Sequence, residues 1–211
     1  MEILKGFNFS KRAGSTPDSS VEFWRPVFKC WRSSYLVLIA LLVCIGPCIA
    51  QTSVAPEYQI KAAFLYKFCN YIEWPPDAFS SDTSPLRIGV AGPEDLVDEL
   101  RQTVRGLTIK NRPLLVLQVN SDEIVRNLQI LFIARSESRR MTHLLTLARG
   151  YPVLLVTESP KGFDAGSVIN FVVQENRVRF DISQAAAAQQ GLRLSAQLLK
   201  VARNVQKDGL Q

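Results

Sequence analysis

Apolar positions recur with a helical period at the start of residues 56–72 and then give way to short strand-like runs. In "EYQIKAAFLYKFCNYIEWP", Ile60, Ala63, Phe64, Phe68, Tyr71 and Ile72 form one helical stripe, and Leu65, Tyr66 and Cys69 widen it. Pro56 suits a first helical turn, and Trp74-Pro75-Pro76 stops the helix. A stripe this wide predicts a helix covered on more than one side. Residues 86–91, 107–109, 114–119, 128–134 and 153–157 read as strands, with Asn111-Arg112-Pro113 as a break between the second and third. Helices are predicted over 93–104, with Leu96, Leu100 and Val104 inward, and briefly over 121–127. A further helix, capped by Ser136, runs to about Arg149 with Met141, Leu144, Leu145 and Ala148 inward. This alternation predicts an α/β fold with a mainly parallel central sheet and helices on both faces.

The C-terminal part reads as an antiparallel hairpin followed by helices. If Glu175-Asn176 is a two-residue turn, Val173 faces Val178, Phe171 faces Phe180 and Ile169 faces Ile182, all on one core face. The other face then carries Asn170, Val172, Arg179 and Asp181, a mixture of branched apolar and polar groups. Gly191 ends an Ala-rich helix. Ser195 caps a last helix, with Leu194 and Leu199 as its staple and Leu198, Val201, Ala202 and Val205 inward.

Basic residues precede an apolar run over 35–45, which ends at Gly46-Pro47-Cys48-Ile49-Ala50. That pattern predicts an export signal cut after Ala50, with a start codon downstream at Val21 or Val27. Residues 51–211 then form a single domain. The leader holds six Lys/Arg against three Asp/Glu, and the remainder holds 19 against 16. The body's small excess, with signs interspersed, gives no face suited to nucleic acid. Three of the four cysteines leave with the leader, and the remaining Cys69 sits in the apolar helix as a small buried hydrophobe.

Chemistry is sparse. The sequence contains a single histidine, His143, lying off the inward stripe of its helix. No G-x-S-x-G elbow is present, so a nucleophilic triad is disfavoured. "GVAGPED" lacks the spacing of a nucleotide loop, and Glu94, Asp95 and Asp98 place negative charge where a phosphate would sit. No cofactor is expected. Residues suited to docking are Asn170, Val172, Arg179, Asp181, Arg193 and Ser195, together with Glu73 and Trp74 at the end of the first helix. Arg193, before the Ser195 cap, is the fork-shaped anchor of that set.

Seven segments occur in order: "EYQIKAAFLYKFCNYIEWP", "PLRIGVAG", "ILFIARSESRR", "PVLLVTE", "GFDAGSVINFV", "NRVRFDIS" and "GLRLSAQLLKVA". Together they resemble the YfiR family of exported bacterial proteins over residues 55–205. The resemblance implies a periplasmic, non-enzymatic α/β domain, often a homodimer. It also implies that the domain represses an inner-membrane diguanylate cyclase by binding that enzyme's periplasmic sensor domain. Family members with this role often carry disulfides, whereas this chain has only Cys69 after the leader, so an internal redox switch is not expected. A periplasmic small-ligand-binding protein, using the crevice at the carboxyl ends of the strands, is the alternative.

Overall fold

The computed structural model describes residues 54–207, with side chains from Glu57 onward. The export signal, its cut after Ala50 and the downstream start all lie outside the described residues. The described residues form one compact unit. Its elements are α1 (Val54–Tyr71), β1 (Ile72–Glu73), β2 (Leu86–Ala91), α2 (Glu94–Val104), β3 (Thr108–Ile109) and β4 (Arg112–Gln118). There follow β5 (Ile130–Ile133), α3 (Ser138–Ala148), β6 (Leu154–Thr157), β7 (Ile169–Gln174) and β8 (Arg177–Ser183). The chain ends with α4 (Gln184–Gln189), β9 (Arg193–Leu194), α5 (Ala196–Val201) and β10 (Asn204–Gln206).

Eight strands form one sheet in the order β10-β8-β7-β6-β5-β2-β4-β3, and β1 pairs with β9 in a separate ribbon. The five strands β7, β6, β5, β2 and β4 are mutually parallel, while β8 runs antiparallel to β7. The expected mainly parallel α/β sheet with a C-terminal hairpin is therefore present. From β2 the chain moves to β4 on one side, then returns to β5 on the other. Since such crossovers are right-handed, this reversal sends α2 and α3 to opposite faces. α1 packs along α2 and so covers the same face.

The sheet centre is apolar on both sides because it is covered on both sides. Every residue of β5 and β6 is buried. Gly89 sits in the middle of β2 rather than in a turn, and a Cβ there would overlap Leu128 Cδ1. Its role is close packing, and Gly92 likewise abuts Ala134 Cβ.

Several local expectations are corrected. The buried face of α1 is Lys61, Ala62, Leu65, Phe68 and Cys69, continuing to Ile72. The stripe is rotated by about one residue from expectation, because the Leu65–Cys69 side lies under α2 and the sheet. Ile60 is consequently exposed. Asn111-Arg112-Pro113 is not a simple break. Lys110 and Asn111 take positive φ values of 49° and 64°, making the turn between β3 and β4, and Pro113 lies in a strand near the sheet's edge. Ser136 does not cap α3, which follows a 3-10 turn at Arg135–Glu137. Met141, Leu144, Leu145 and Ala148 are buried as expected. The last helix stops at Val201, and residues expected to continue it turn into β10 beside β8.

Candidate docking surface

The hairpin register is the one the alternation implies: Ile169↔Ile182, Phe171↔Phe180 and Val173↔Val178, with Glu175 and Asn176 at φ of 50° and 58°. Positive φ at both turn residues gives the primed turn that matches strand twist. Five of the six core-face residues are buried, but Val173 is 46% exposed. It lines a cavity together with Glu57, Tyr58 and Lys61 of α1.

Phe64 on α1 sets the inner wall of this region. Its ring lies 6.0 Å from Phe171 and 5.4 Å from Phe180, and Phe68 stacks beside it at 6.1 Å. Phe64 itself remains half-buried. One turn earlier on α1, Ile60 is 42% exposed. At the end of α5, Val201 is 64% exposed and shares a cleft with Phe64, Phe180 and Leu198. Ile60 (one turn from Phe64), Val173 (two residues from Phe171) and Val201 (in the cleft with Phe64 and Phe180) thus border the aromatic cluster as an exposed apolar rim. Surfaces of this kind mark interaction sites more often than isolated apolar residues do.

The outer face of the hairpin divides into used and unused groups. Asn170 is buried: its Oδ1 accepts from Thr157 Oγ1 at 2.8 Å and from Ser159 N at 3.1 Å, which fixes the loop after β6. Asp181 is buried too, and its carboxylate accepts from Arg203 Nε at 2.7 Å and from Arg203 Nη2. That pair draws β10 onto β8. Arg179 is exposed and Val172 half-buried. Of these four candidates, Arg179 and Val172 are available to a partner, while Asn170 and Asp181 are engaged within the fold.

The other candidates lie on the small ribbon. Glu73 stands opposite Arg193 across β1 and β9, and both are exposed. Ser195 N donates to Tyr71 O at 3.0 Å, and its Oγ accepts from Leu198 N at 3.2 Å, so it both seats the ribbon and caps α5. Trp74 Nε1 donates to Gln129 O at 3.1 Å and its ring meets Phe79 edge-on at 6.4 Å, which commits Trp74 to the fold.

A second concavity opens at the carboxyl ends of β2, β5, β6 and β7, where the strand order reverses. It measures about 450 Å³ and includes Tyr58, Arg135, Ser136, Phe171 and Val173. At its floor Lys61, only 3% exposed, is held between two carboxylates: Glu57 Oε1 at 2.6 Å and Glu158 Oε2. Glu158 Oε1 accepts from Arg135 N at 2.6 Å, which locks the loop after β5. Burial works to lower the Lys61 pKa, but its hydrogen bonds to Glu158 and Glu57 outweigh that and raise it. Burial pushes the Tyr58 hydroxyl up as well. This network was not anticipated. Its signals were a lysine embedded in an apolar helix and a glutamate four residues before it, the spacing of an ion pair on one helical face.

Among the described residues, no group of three His, Cys, Asp or Glu is placed to hold a metal ion, and no helix is long and apolar enough to cross a membrane. His143 lies on the surface beside Asp122, at 2.8 Å.

A solved structure of a conserved domain protein from Vibrio cholerae O1 biovar El Tor is similar at 9% identity, with a TM-score of 0.51, covering 71% of this chain and 60% of that one. This chain thus spans about three fifths of that chain's length. The ABC domain from Streptococcus pneumonia in complex with L-Trp gives a TM-score of 0.43 at 11% identity, covering 56% of each chain. Of the two, the first is near enough to show a shared fold. A comparison with curated proteins finds no match. The family model DUF4154, described as YfiR/HmsC-like, matches residues 58–203, from the start of α1 to the Arg203 that ties β10 to β8; the chain belongs to the YfiR/HmsC-like family.

Proposed function

We propose that the protein is an exported, non-enzymatic regulator that docks on the periplasmic sensor domain of an inner-membrane diguanylate cyclase and holds the cyclase inactive. Cyclic-di-GMP output then falls while the regulator is bound. The observation that carries this reading is the exposed apolar rim of Ile60, Val173 and Val201 around the Phe64–Phe171–Phe180 cluster. Family membership supplies the class of partner. Mechanistically, the regulator binds one conformation of the receptor and shifts its population. Moving a receptor from mostly on to mostly off takes about 5 kcal/mol of differential binding. An interface that also includes the exposed Arg179 and half-buried Val172 suits that demand, and a homodimer would present the rim twice.

The test is deletion of the gene followed by measurement of cellular cyclic-di-GMP, with complementation by the wild type and by Val173→Asp/Val201→Asp. Deletion should raise cyclic-di-GMP, the wild type should restore it, and the folded double variant should not. An unchanged level on deletion removes the reading.

The crevice at the strand ends supports a second reading, capture of a small ligand. Its lining combines polar Arg135 and Ser136 with apolar Phe171 and Val173. Native mass spectrometry of the protein isolated from its own cells should show a stoichiometric adduct, lost in Arg135→Ala, if this reading holds.

A further inference from the structure

β8 has an open edge. β10 pairs only with Asp181, Ile182 and Ser183, and the final contact along that edge is Arg203 N donating to Phe180 O at 2.9 Å. Strand groups point alternately to the two sides of an antiparallel strand. Ser183 N donates toward β7, to Val168 O at 2.8 Å, whereas Phe180 O points away from it. The N–H and C=O of Val178 and the N–H of Phe180 therefore face outward, with no strand beside them among the described residues. An edge of this kind is a template for another chain.

The side chains around the edge are sorted by face. Arg177 and Arg179, two residues apart, share the outer face, and both are exposed. Among the described residues neither pairs with a carboxylate, and Arg203, itself tied to Asp181, lines the notch beside them. On the inner side stands Val201, 64% exposed, above Phe180 and Leu198. Between these two walls is a notch of about 290 Å³, in which Glu175 is the lone acid.

We propose that a partner segment adds here as an extended strand along Val178–Phe180, with acidic side chains toward Arg177 and Arg179 and apolar side chains toward Val201. The regulatory reading is needed only to say which protein supplies the segment. Main-chain bonds supply attachment and the two walls supply selectivity, as in other strand additions. Charged residues on an edge also ward off unwanted strands. Arginines repel a basic strand and draw in an acidic one, so the same two side chains exclude the wrong partner and admit the right one.

The probe is a fluorescein-labelled peptide of alternating Glu and Val, six residues long, with blocked ends, titrated against the purified protein by anisotropy. Three controls accompany it: the same peptide N-methylated at alternate residues, a Lys-Val counterpart, and the protein variant Arg177→Glu/Arg179→Glu. Binding should be salt-sensitive and weaken by about tenfold or more in each control. A thermal melt of the double variant should match the wild type, since both arginines are exposed. Equal binding of the N-methylated peptide overturns strand addition, and so does an absence of binding at concentrations of about 1 mM. Cells separate this idea from the regulatory reading. If deletion raises cyclic-di-GMP but Arg177→Glu/Arg179→Glu represses like the wild type, the edge is refuted and the reading stands. If deletion changes nothing, the reading falls while the peptide titration still decides the edge.

Discussion

Lys61 brings a positive charge into the interior, and Glu57 and Glu158 make that tolerable. Removing one member of a buried pair leaves its partner desolvated and unpaired, at about 3 kcal/mol. Lys61→Met should cost about that much by urea unfolding, and adding Glu158→Gln should return part of it. The pH dependence has a definite sign. The folded Lys61 pKa is raised above 10.5, so its stabilisation is complete below 10.5 and is lost as pH climbs through the higher folded value. Cys69 acts in the same direction, because burial pushes its thiol from 9.0 up to about 12. The fold favours the neutral thiol, so stability falls between 9.0 and about 12 as the unfolded chain ionises first. Stability measured at about pH 8 and about pH 11 should therefore drop in the wild type and drop less in Cys69→Ala. Cys69→Ser at neutral pH should cost about 1 kcal/mol, the low end for a buried hydroxyl, because the serine can bond the Leu65 carbonyl that Sγ now reaches at 3.4 Å. Loss of signalling in a folded Cys69→Ser would reveal a chemical role for the thiol.

The hairpin was legible in the sequence and the last helix was not, and the difference is physical. In β7 and β8 the apolar alternation, the turn residues and the core face all require one register, since a slip of one residue would expose every core side chain. From Leu194 to Val205 the spacing is helical, but a six-residue helix has little stability of its own. The Asp181–Arg203 pair and the open side of β8 decide the matter instead, and both are long-range contacts. The candidate site was half legible for the same reason. Arg179 and Arg193 could be placed on exposed positions from local pattern, while the burial of Asn170 and Asp181 depends on the loop after β6 and on β10. Asp181→Lys should consequently lower the melting temperature sharply, whereas Arg193→Gln should leave it nearly unchanged. The turn offers a test of opposite sign. Glu175 holds a positive φ of 50°, which a residue with a Cβ adopts at some cost. Glu175→Gly should be stabilising by about 0.5–1 kcal/mol in denaturant unfolding, and a loss would mean that the Glu175 side chain contributes more than its backbone strain takes away.

Across the whole molecule, rigidity is concentrated away from the proposed docking edge. β2, β5 and β6 lie at the middle of the sheet, with strands on both sides and helices on both faces. β10 has three residues on an outer edge, β3 has two, and the β1–β9 ribbon stands outside the main sheet. Opening the centre exposes the core, whereas opening β10 mainly releases its short ladder on β8 and the Asp181–Arg203 pair. Amide hydrogen exchange should therefore separate into two classes. Ile130–Ile133 and Leu154–Thr157 should exchange only on global unfolding, with a free energy equal to that from denaturant. Asn204–Gln206 and Thr108–Ile109 should exchange through smaller openings. The Val178 and Phe180 amides belong to neither class by core position: Phe180 packs in the aromatic cluster, yet its N–H faces the open edge and should exchange fast. Addition of the binding peptide should slow these two amides and leave Arg177 and Arg179, whose N–H groups face β7, unchanged. Protection of all four alike would indicate that the hairpin is stabilised as a unit, and protection of none would leave the edge without an added strand. Exchange at Asn204–Gln206 as slow as at Ile130–Ile133 would show that the sheet opens only as one piece, and the division into a rigid centre and a yielding edge would be wrong.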